Sequence, residues 1–264
     1  MYEFTYHKAS SVADAATKVA SANDGTLMAG GMTLIPTMKQ RLAMPSDVVD
    51  LSSVSGMVGI SVQNNVVSVG AMTTHDAVAN STEIKEAIPA LAALAGGIGD
   101  PMVRNRGTMG GSVANSDPAA DYPGAVLGLG ASVVTDQREI AADDFFIGMF
   151  ETALQSGEII IRIDFPIPAK AAYIKFPNPA SRYAIVGVMV VQTASGVRVG
   201  VTGAGACAFR ATAMEEALSA NFAASALDGV AAGGGELNAD IHASAEYRAH
   251  LIGVMAKRAV AACG

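Results

Sequence analysis

Residues 104–126 read RNRGTMGGSVANSDPAADYPGAV. The stretch combines adjacent glycines Gly110 and Gly111, small polar residues, two prolines and two aspartates, and an apolar run follows it. Neither a helix nor a strand favours that mixture, so the stretch reads as a loop with exposed backbone. Bare backbone at the centre of a chain that is 51% apolar fits tight turns or a close approach of backbone to another group.

A second glycine pair lies upstream, in LMAGGMTLI, residues 27–35. A strand runs into Gly30-Gly31 and then into a helix start. Backbone N–H groups there can converge on an anion, and the helix N-terminus adds a positive end. Diphosphate is the natural guest; an ordinary tight turn is the competing reading. Two such loops carry more weight than one, because a dinucleotide has two phosphates and two riboses to hold. Thr108, Ser112, Asn115 and Ser116 add hydroxyl and amide groups beside the second pair. Neither loop is a P-loop, since Lys39 follows Gly31 by eight residues. A third glycine motif, Gly203, Gly205 and Ala208 in GVTGAGACAF, fits G-x-G-x-x-G/A after a strand. Only about sixty residues follow it, with no return strand ending in an acid, so it reads as a structural turn.

The chain has 264 residues, room for one large domain or two modest ones. Its net charge is −7 and it has no Lys/Arg cluster, which argues against nucleic acid or an anionic membrane as partner. Two cysteines, Cys207 and Cys263, are too few for a disulfide framework or an iron–sulfur site and fit a reducing compartment. The N-terminus MYEFTYHKAS lacks the features of a signal peptide, and no apolar run approaches ~18 residues. A soluble cytoplasmic protein without a transmembrane segment is expected.

Residues 1–55 pattern as strand, helix, strand, helix, strand. VGISVQNNVVSVGA reads as a hairpin around Asn64-Asn65. STEIKEAIPALAALA reads as a helix entered at Ser81 or Thr82, and DYPGAVLGLGA as a buried helix. GEIIIRIDFP is a strand closed by Pro166. The two prolines of FPIPAK mark a boundary near residue 168, after which three strand-like runs form an antiparallel meander and helical sequence closes the chain. That last helix places Tyr247, Leu251, Val254 and Met255 at helical spacing.

Few side chains suggest acid–base chemistry. His75 reads as a capping or core residue. His242 and His250 are read on the last helix without carboxylate partners. Asp117 and Asp121 are separated by a proline-interrupted stretch, so a carboxylate pair has little support. The thirteen methionines are core filler.

AGGMTLIPTMKQR, RNRGTMGGSVANSDPAADYPGAV, GEIIIRIDFP and KFPNPASRYAIVGV occur in this order. Together they resemble the FAD-binding (medium) subunits of the molybdenum hydroxylases, the family of carbon monoxide dehydrogenase and xanthine dehydrogenase flavin subunits. The resemblance covers nearly the whole chain. It implies an α+β fold: a two-subdomain FAD-binding unit of the PCMH type over 1–168 (subdomains about 1–55 and 56–168), then a small α/β domain over 169–264 with a three-stranded antiparallel sheet and helices. It also implies that Ala29, Gly30, Gly31, Met32 and Thr33, flanked by Met28 and Leu34, form one loop around the FAD diphosphate. Thr108, Gly110, Gly111 and Ser112 form the other. By the same resemblance Asp121 contacts the polar part of the flavin, and Ile98 and Ile160 are its apolar neighbours. Lys175 lies near the cofactor as a cation for anionic reduced flavin, and Tyr183 meets the isoalloxazine from the C-terminal domain. Met32 stands where the family carries a polar or small residue.

The function so implied is electron transfer: FAD here takes electrons from 2Fe-2S clusters of a small iron–sulfur subunit and passes them to quinone, oxygen or NAD. A large subunit with a molybdopterin-type molybdenum cofactor oxidises the substrate, and the whole assembles as a dimer of heterotrimers. FAD is expected to be noncovalent, since neither loop holds His or Cys. A stand-alone flavin oxidase or reductase of the same fold, and a non-enzymatic nucleotide-binding module, are the alternatives.

Overall fold

The computed structural model describes residues 1–263. The chain opens with β1 (Thr5–Lys8), α1 (Val12–Ser21), β2 (Gly25–Met28), α2 (Leu34–Lys39) and β3 (Asp47–Asp50). The three strands form a parallel sheet in the order β1-β3-β2. Ser11 caps α1 by accepting from the Asp14 N–H.

A second layer starts with β4 (Ile60–Gln63) and β5 (Val66–Gly70), joined through Asn64 and Asn65 at φ 50° and 62°. Asparagine tolerates this left-handed geometry, which lets the hairpin close. Then come α3 (His75–Asn80), α4 (Thr82–Ala87), α5 (Pro89–Gly96), α6 (Pro101–Arg106), α7 (Met109–Asn115) and α8 (Asp121–Leu129). They are followed by β6 (Ser132–Thr135), β7 (Glu139–Ala141), α9 (Ala142–Phe145), β8 (Phe146–Gly148), β9 (Glu151–Thr152) and β10 (Ile160–Pro166). β10 threads between hairpins to give the order β4-β5-β10-β6-β7.

The last unit contains β11 (Lys170–Pro177), β12 (Ala184–Thr193), β13 (Gly196–Thr202), β14 (Phe209–Arg210), α10 (Thr212–Ala220) and α11 (Ala245–Ala262). Its antiparallel sheet has four strands, not three: two-residue β14 pairs with β13 through Phe209 and Arg210. A strand that short leaves no alternation in sequence to read.

Three other expectations are corrected. The single helix over 81–95 is two helices, because Pro89 holds Ile88 at φ −140°, ψ 70° and starts α5 itself. The apolar face of α11 runs through Leu251, Ile252, Met255, Ala256 and Ala259 with the charged Arg248 inside it, while Tyr247 is exposed. Arg248 is tolerated there because it donates to the Ile185 and Gly203 carbonyls and to Asp240. His242 lies before α11, in a turn capped by Asp240.

The described residues form two apolar cores. One joins the five-stranded sheet, α5, α8 and part of the first layer, and it takes Met189, Val191 and Ala208 from the C-terminal unit. The other lies between the four-stranded sheet and α11. All nine residues of α8 are buried. Gly200 permits its approach: a Cβ there would stand 2.2 Å from the Gly124 carbonyl oxygen.

Candidate functional site

The first glycine segment leaves β2 at Met28 and turns into α2. Gly31 sits at φ 73°, a left-handed conformation that costs glycine little. The N–H groups of Gly30, Gly31, Met32, Thr33 and Leu34 find no acceptor among the described residues, and Thr33 makes no side-chain cap. Five consecutive free donors at a helix entrance are a cradle for an anion.

The second segment is a helix start rather than a loop. Thr108 caps α7, its hydroxyl accepting from the Gly111 N–H at 3.2 Å. The segment is pinned by a short ladder to residues 71–75: Gly110 N donates to Ala71 O, Met109 N to Thr73 O, and His75 N to Gly107 O. Its backbone donors are therefore largely used, and the polar groups it has left to offer are the Ser112 hydroxyl and the Asn115 amide, which line the cleft without a partner among the described residues. The mixture of small and polar residues hid the helix because its stability comes from the cap and the ladder, not from propensity.

The glycines have divided roles. A Cβ on Gly30 would stand 1.9 Å from the Arg106 carbonyl oxygen, and one on Gly110 2.5 Å from Ala71 Cβ. Those two glycines let chain pack on chain. A Cβ on Gly111 would lie 3.3 Å from Ala29 Cβ, so the two segments come together there.

They border a cleft of about 1150 Å³. Sites for drug-sized ligands run roughly 300–1,000 Å³, so this one suits a dinucleotide. Ala29, Gly30, Gly31, Met32, Thr33 and Leu34 line it, as do Thr108, Gly110, Gly111 and Ser112. Ile98, Asp121, Ile160 and Tyr183 also line it. Met28 and Lys175 do not. Met28 ends β2, and Lys175 lies behind the wall, its ammonium 3.0 Å from Asp121 Oδ1, 2.9 Å from Gly97 O and 3.0 Å from Arg182 O.

Asp121 thus stands between the cleft and a cation. Tyr173 donates to it at 2.5 Å. Burial pushes the Asp121 carboxyl above its ordinary range, opposed first by Lys175 and then by Tyr173, and burial likewise raises the Tyr173 phenol. Tyr183, 43% exposed, stands at the rim. Desolvation and then the charges of Asp117 and Asp121 raise its phenol.

Sequence reasoning missed other lining residues, among them His75, Asp100, Asp117, Phe150, Glu158 and Arg182. Glu158 is neutralised by Arg138 at 3.0 Å, which first among several causes holds its carboxyl down to about 2. His75 is buried as expected for a core residue, yet its ring also borders the cleft, and Gly107 leaves it room: a Cβ there would lie 2.5 Å from His75 Nε2. Phe150 and Arg182 hold left-handed backbones at φ 56° and 64°. Unlike asparagine, phenylalanine and arginine carry no preference that would mark them for that conformation.

The family described as the FAD binding domain in molybdopterin dehydrogenase matches residues 2–168. The chain is 33% identical to the nicotine 6-hydroxylase medium subunit of Paenarthrobacter nicotinovorans, over 98% of this chain and 96% of that one. It is 35% identical to the carbon monoxide dehydrogenase medium chain of Afipia carboxidovorans, over 97% and 95%. Its fold superposes on reconstituted CO dehydrogenase from Oligotropha carboxidovorans with TM-score 0.91 at 32% identity, covering 99% and 98%. For quinoline 2-oxidoreductase from Pseudomonas putida 86 the TM-score is 0.89 at 28% identity, covering 99% and 97%.

Proposed function

The chain belongs to the FAD-binding family of molybdopterin dehydrogenases, and we propose that it carries FAD in the cleft between its two glycine segments as the electron-transfer subunit of such a complex. The observation that carries this is the run of five free N–H groups, Gly30 to Leu34, in a dinucleotide-sized cleft. The residues fit the cofactor: free donors suit its diphosphate, Ile98 and Ile160 offer apolar wall, and Ser112 offers a hydroxyl.

Bound FAD supplies exchange between one-electron and two-electron transfer, the chemistry that links iron–sulfur clusters to a two-electron acceptor. The chain's own part is binding and tuning. Gly30–Leu34 would hold the diphosphate through backbone donors, and Ser112 would add a side-chain bond. The Asp121 carboxylate orients a polar edge of the cofactor while Lys175 and Tyr173 fix the carboxylate. Tyr183, at the rim, shields the cleft from water. No side chain is required as a proton donor to substrate, because the substrate is oxidised in another chain.

The partners proposed are a large molybdopterin subunit and a small 2Fe-2S subunit, in a dimer of heterotrimers, with quinone, oxygen or NAD as acceptor. The names of the relatives, medium chains and medium subunits, support a larger and a smaller companion chain. Cys207 and Cys263 are free thiols, which supports a cytoplasmic location. Among the described residues no helix is long and apolar enough to cross a membrane.

The test is an absorbance spectrum of the purified complex followed by acid release. Flavin bands with free FAD in the supernatant are expected. A chain that stays colourless after incubation with FAD and its partner subunits overturns the reading, and colour retained on the denatured protein overturns noncovalent binding.

A further inference from the structure

Lys175 is not the cation that faces the cleft, because Asp121 neutralises it from the cleft side. Among the described residues, Arg182 is the one Lys or Arg that lines the cleft. Four carboxylates share the wall: Asp100, Asp117, Asp121 and Glu158. Two of them have cations of their own, Lys175 for Asp121 and Arg138 for Glu158. No described carboxylate forms an ion pair with Arg182.

Its placement is built. The backbone at Arg182 is left-handed, φ 64°, a conformation an arginine adopts at a cost. Asn178 holds the turn: its side chain accepts from the Ala180 and Ser181 N–H groups, and its carbonyl accepts from the Arg182 N–H. The Arg182 carbonyl is tied to Lys175, and its Nη1 donates to Gly99 O at 3.0 Å. Arg104 donates to the same Gly99 oxygen at 3.3 Å and to Ile98 O at 2.9 Å. It too has no carboxylate partner among the described residues, and its field also disfavours a charge on neighbouring His75. Two unpaired guanidiniums meeting on one carbonyl repel each other. An anion beside them turns that repulsion into attraction.

We infer that Arg182, backed by Arg104, is the cationic contact for the negative charge of FAD in this cleft. The inference rests on the FAD reading above. The charge has two sources, the diphosphate and the reduced isoalloxazine, and a cation acts on each differently. Against the diphosphate it tightens the oxidised cofactor. Against the reduced ring it raises the midpoint potential and leaves oxidised affinity alone.

The experiment compares the flavin-loaded full-length protein with Arg182→Gln and Arg182→Lys, chosen because Arg182 is exposed and its replacement leaves the core intact. FAD affinity is read by flavin fluorescence at several salt concentrations, ADP is used as competitor, and the midpoint potential is measured. If the diphosphate is the source, Arg182→Gln weakens FAD and ADP together by about ten- to a hundredfold and flattens the salt dependence. If the reduced ring is the source, FAD affinity holds and the potential falls, by about 30 mV for each tenfold preference lost in the two-electron couple. Either result supports the inference. Unchanged affinity and unchanged potential overturn it. So does Arg182→Lys matching Arg182→Gln in both, which would leave only the bond to Gly99. Wild-type protein that binds no FAD at all defeats the functional reading instead.

Discussion

At the scale of the residue, His75 shows how the surroundings of the cleft set chemistry. Burial, and then the field of Arg104, hold its imidazole down to about 4 from an ordinary 6.5. Among the described residues its buried Nδ1 has no hydrogen-bond partner, nor has the hydroxyl of Tyr122, whose ring lies 5.3 Å from the imidazole. In the unfolded chain the ring takes a proton near pH 6.5; in the folded chain it does so only near 4. Between those values unfolding binds a proton, so stability falls as the pH drops through this window, by up to about 1.4 kcal/mol per pH unit from this one group. Above pH 6.5 the group contributes no slope. Urea denaturation at pH 7, 6 and 5 should therefore show a shallower loss in His75→Gln than in the native chain, whatever the variant's stability at pH 7. Equal slopes would mean that the folded protein lets the ring titrate freely.

At the scale of the element, the glycine pairs divide their work, and substitution should reveal it. Gly110 lies in the first turn of α7 against Ala71, whose carbonyl accepts its N–H. Gly110→Ala gains helix propensity of roughly 1 kcal/mol. It must also push a backbone away, and overpacking of that kind costs about 1–3 kcal/mol. A net loss of stability in urea is expected, with the ladder to residues 71–75 disturbed. Gly111→Ala meets the capping Thr108 hydroxyl and Ala29 Cβ but no backbone, so it should cost less stability than Gly110→Ala while FAD binding weakens. A Gly110→Ala variant as stable as the native chain would mean the ladder yields without cost. The same elements show what a sequence reveals. Strand, helix, strand, helix, strand over residues 1–55, the Asn64-Asn65 hairpin and the buried helix α8 were legible, because periodicity and turn residues are local signals. Short helices α6 and α7 were not: six or seven residues are too few to show a helical period, and the ladder that pins α7 joins it to residues 71–75, far off in sequence. Both glycine segments of the candidate site were legible as motifs. Arg182 was not, because its place in the cleft depends on Gly99, eighty-three residues away, and on a φ that no sequence pattern announces.

At the scale of the whole molecule, the question is whether residues 1–168, the span that the family match nearly fills, would stand alone. The packing predicts that they would not. α8 belongs to that span by sequence, yet β12 and β13 cover it, with Gly124 on Thr202 and Gly128 on Met189. The turn that leads into α8 is also stapled from the far side: Gly203 N donates to Pro118 O, Ala184 N to Ala119 O, and the Thr202 hydroxyl to Ala120 O. Met189 and Val191 complete the N-terminal core. Emptying such positions costs a few kcal/mol each, about 2–5 for a methionine, against a total stability of about 5–15 kcal/mol for a typical protein. Removing them together with the staples consumes a sum of the same size as the whole. A chain ended at residue 168 should therefore lose cooperative unfolding, bind a hydrophobic dye and fail to retain FAD, since Arg182 and Tyr183 leave with the C-terminal unit. A compact fragment with a sharp urea transition and a flavin spectrum would show instead that α8 tolerates an open face, and that the C-terminal sheet covers a site already formed without it.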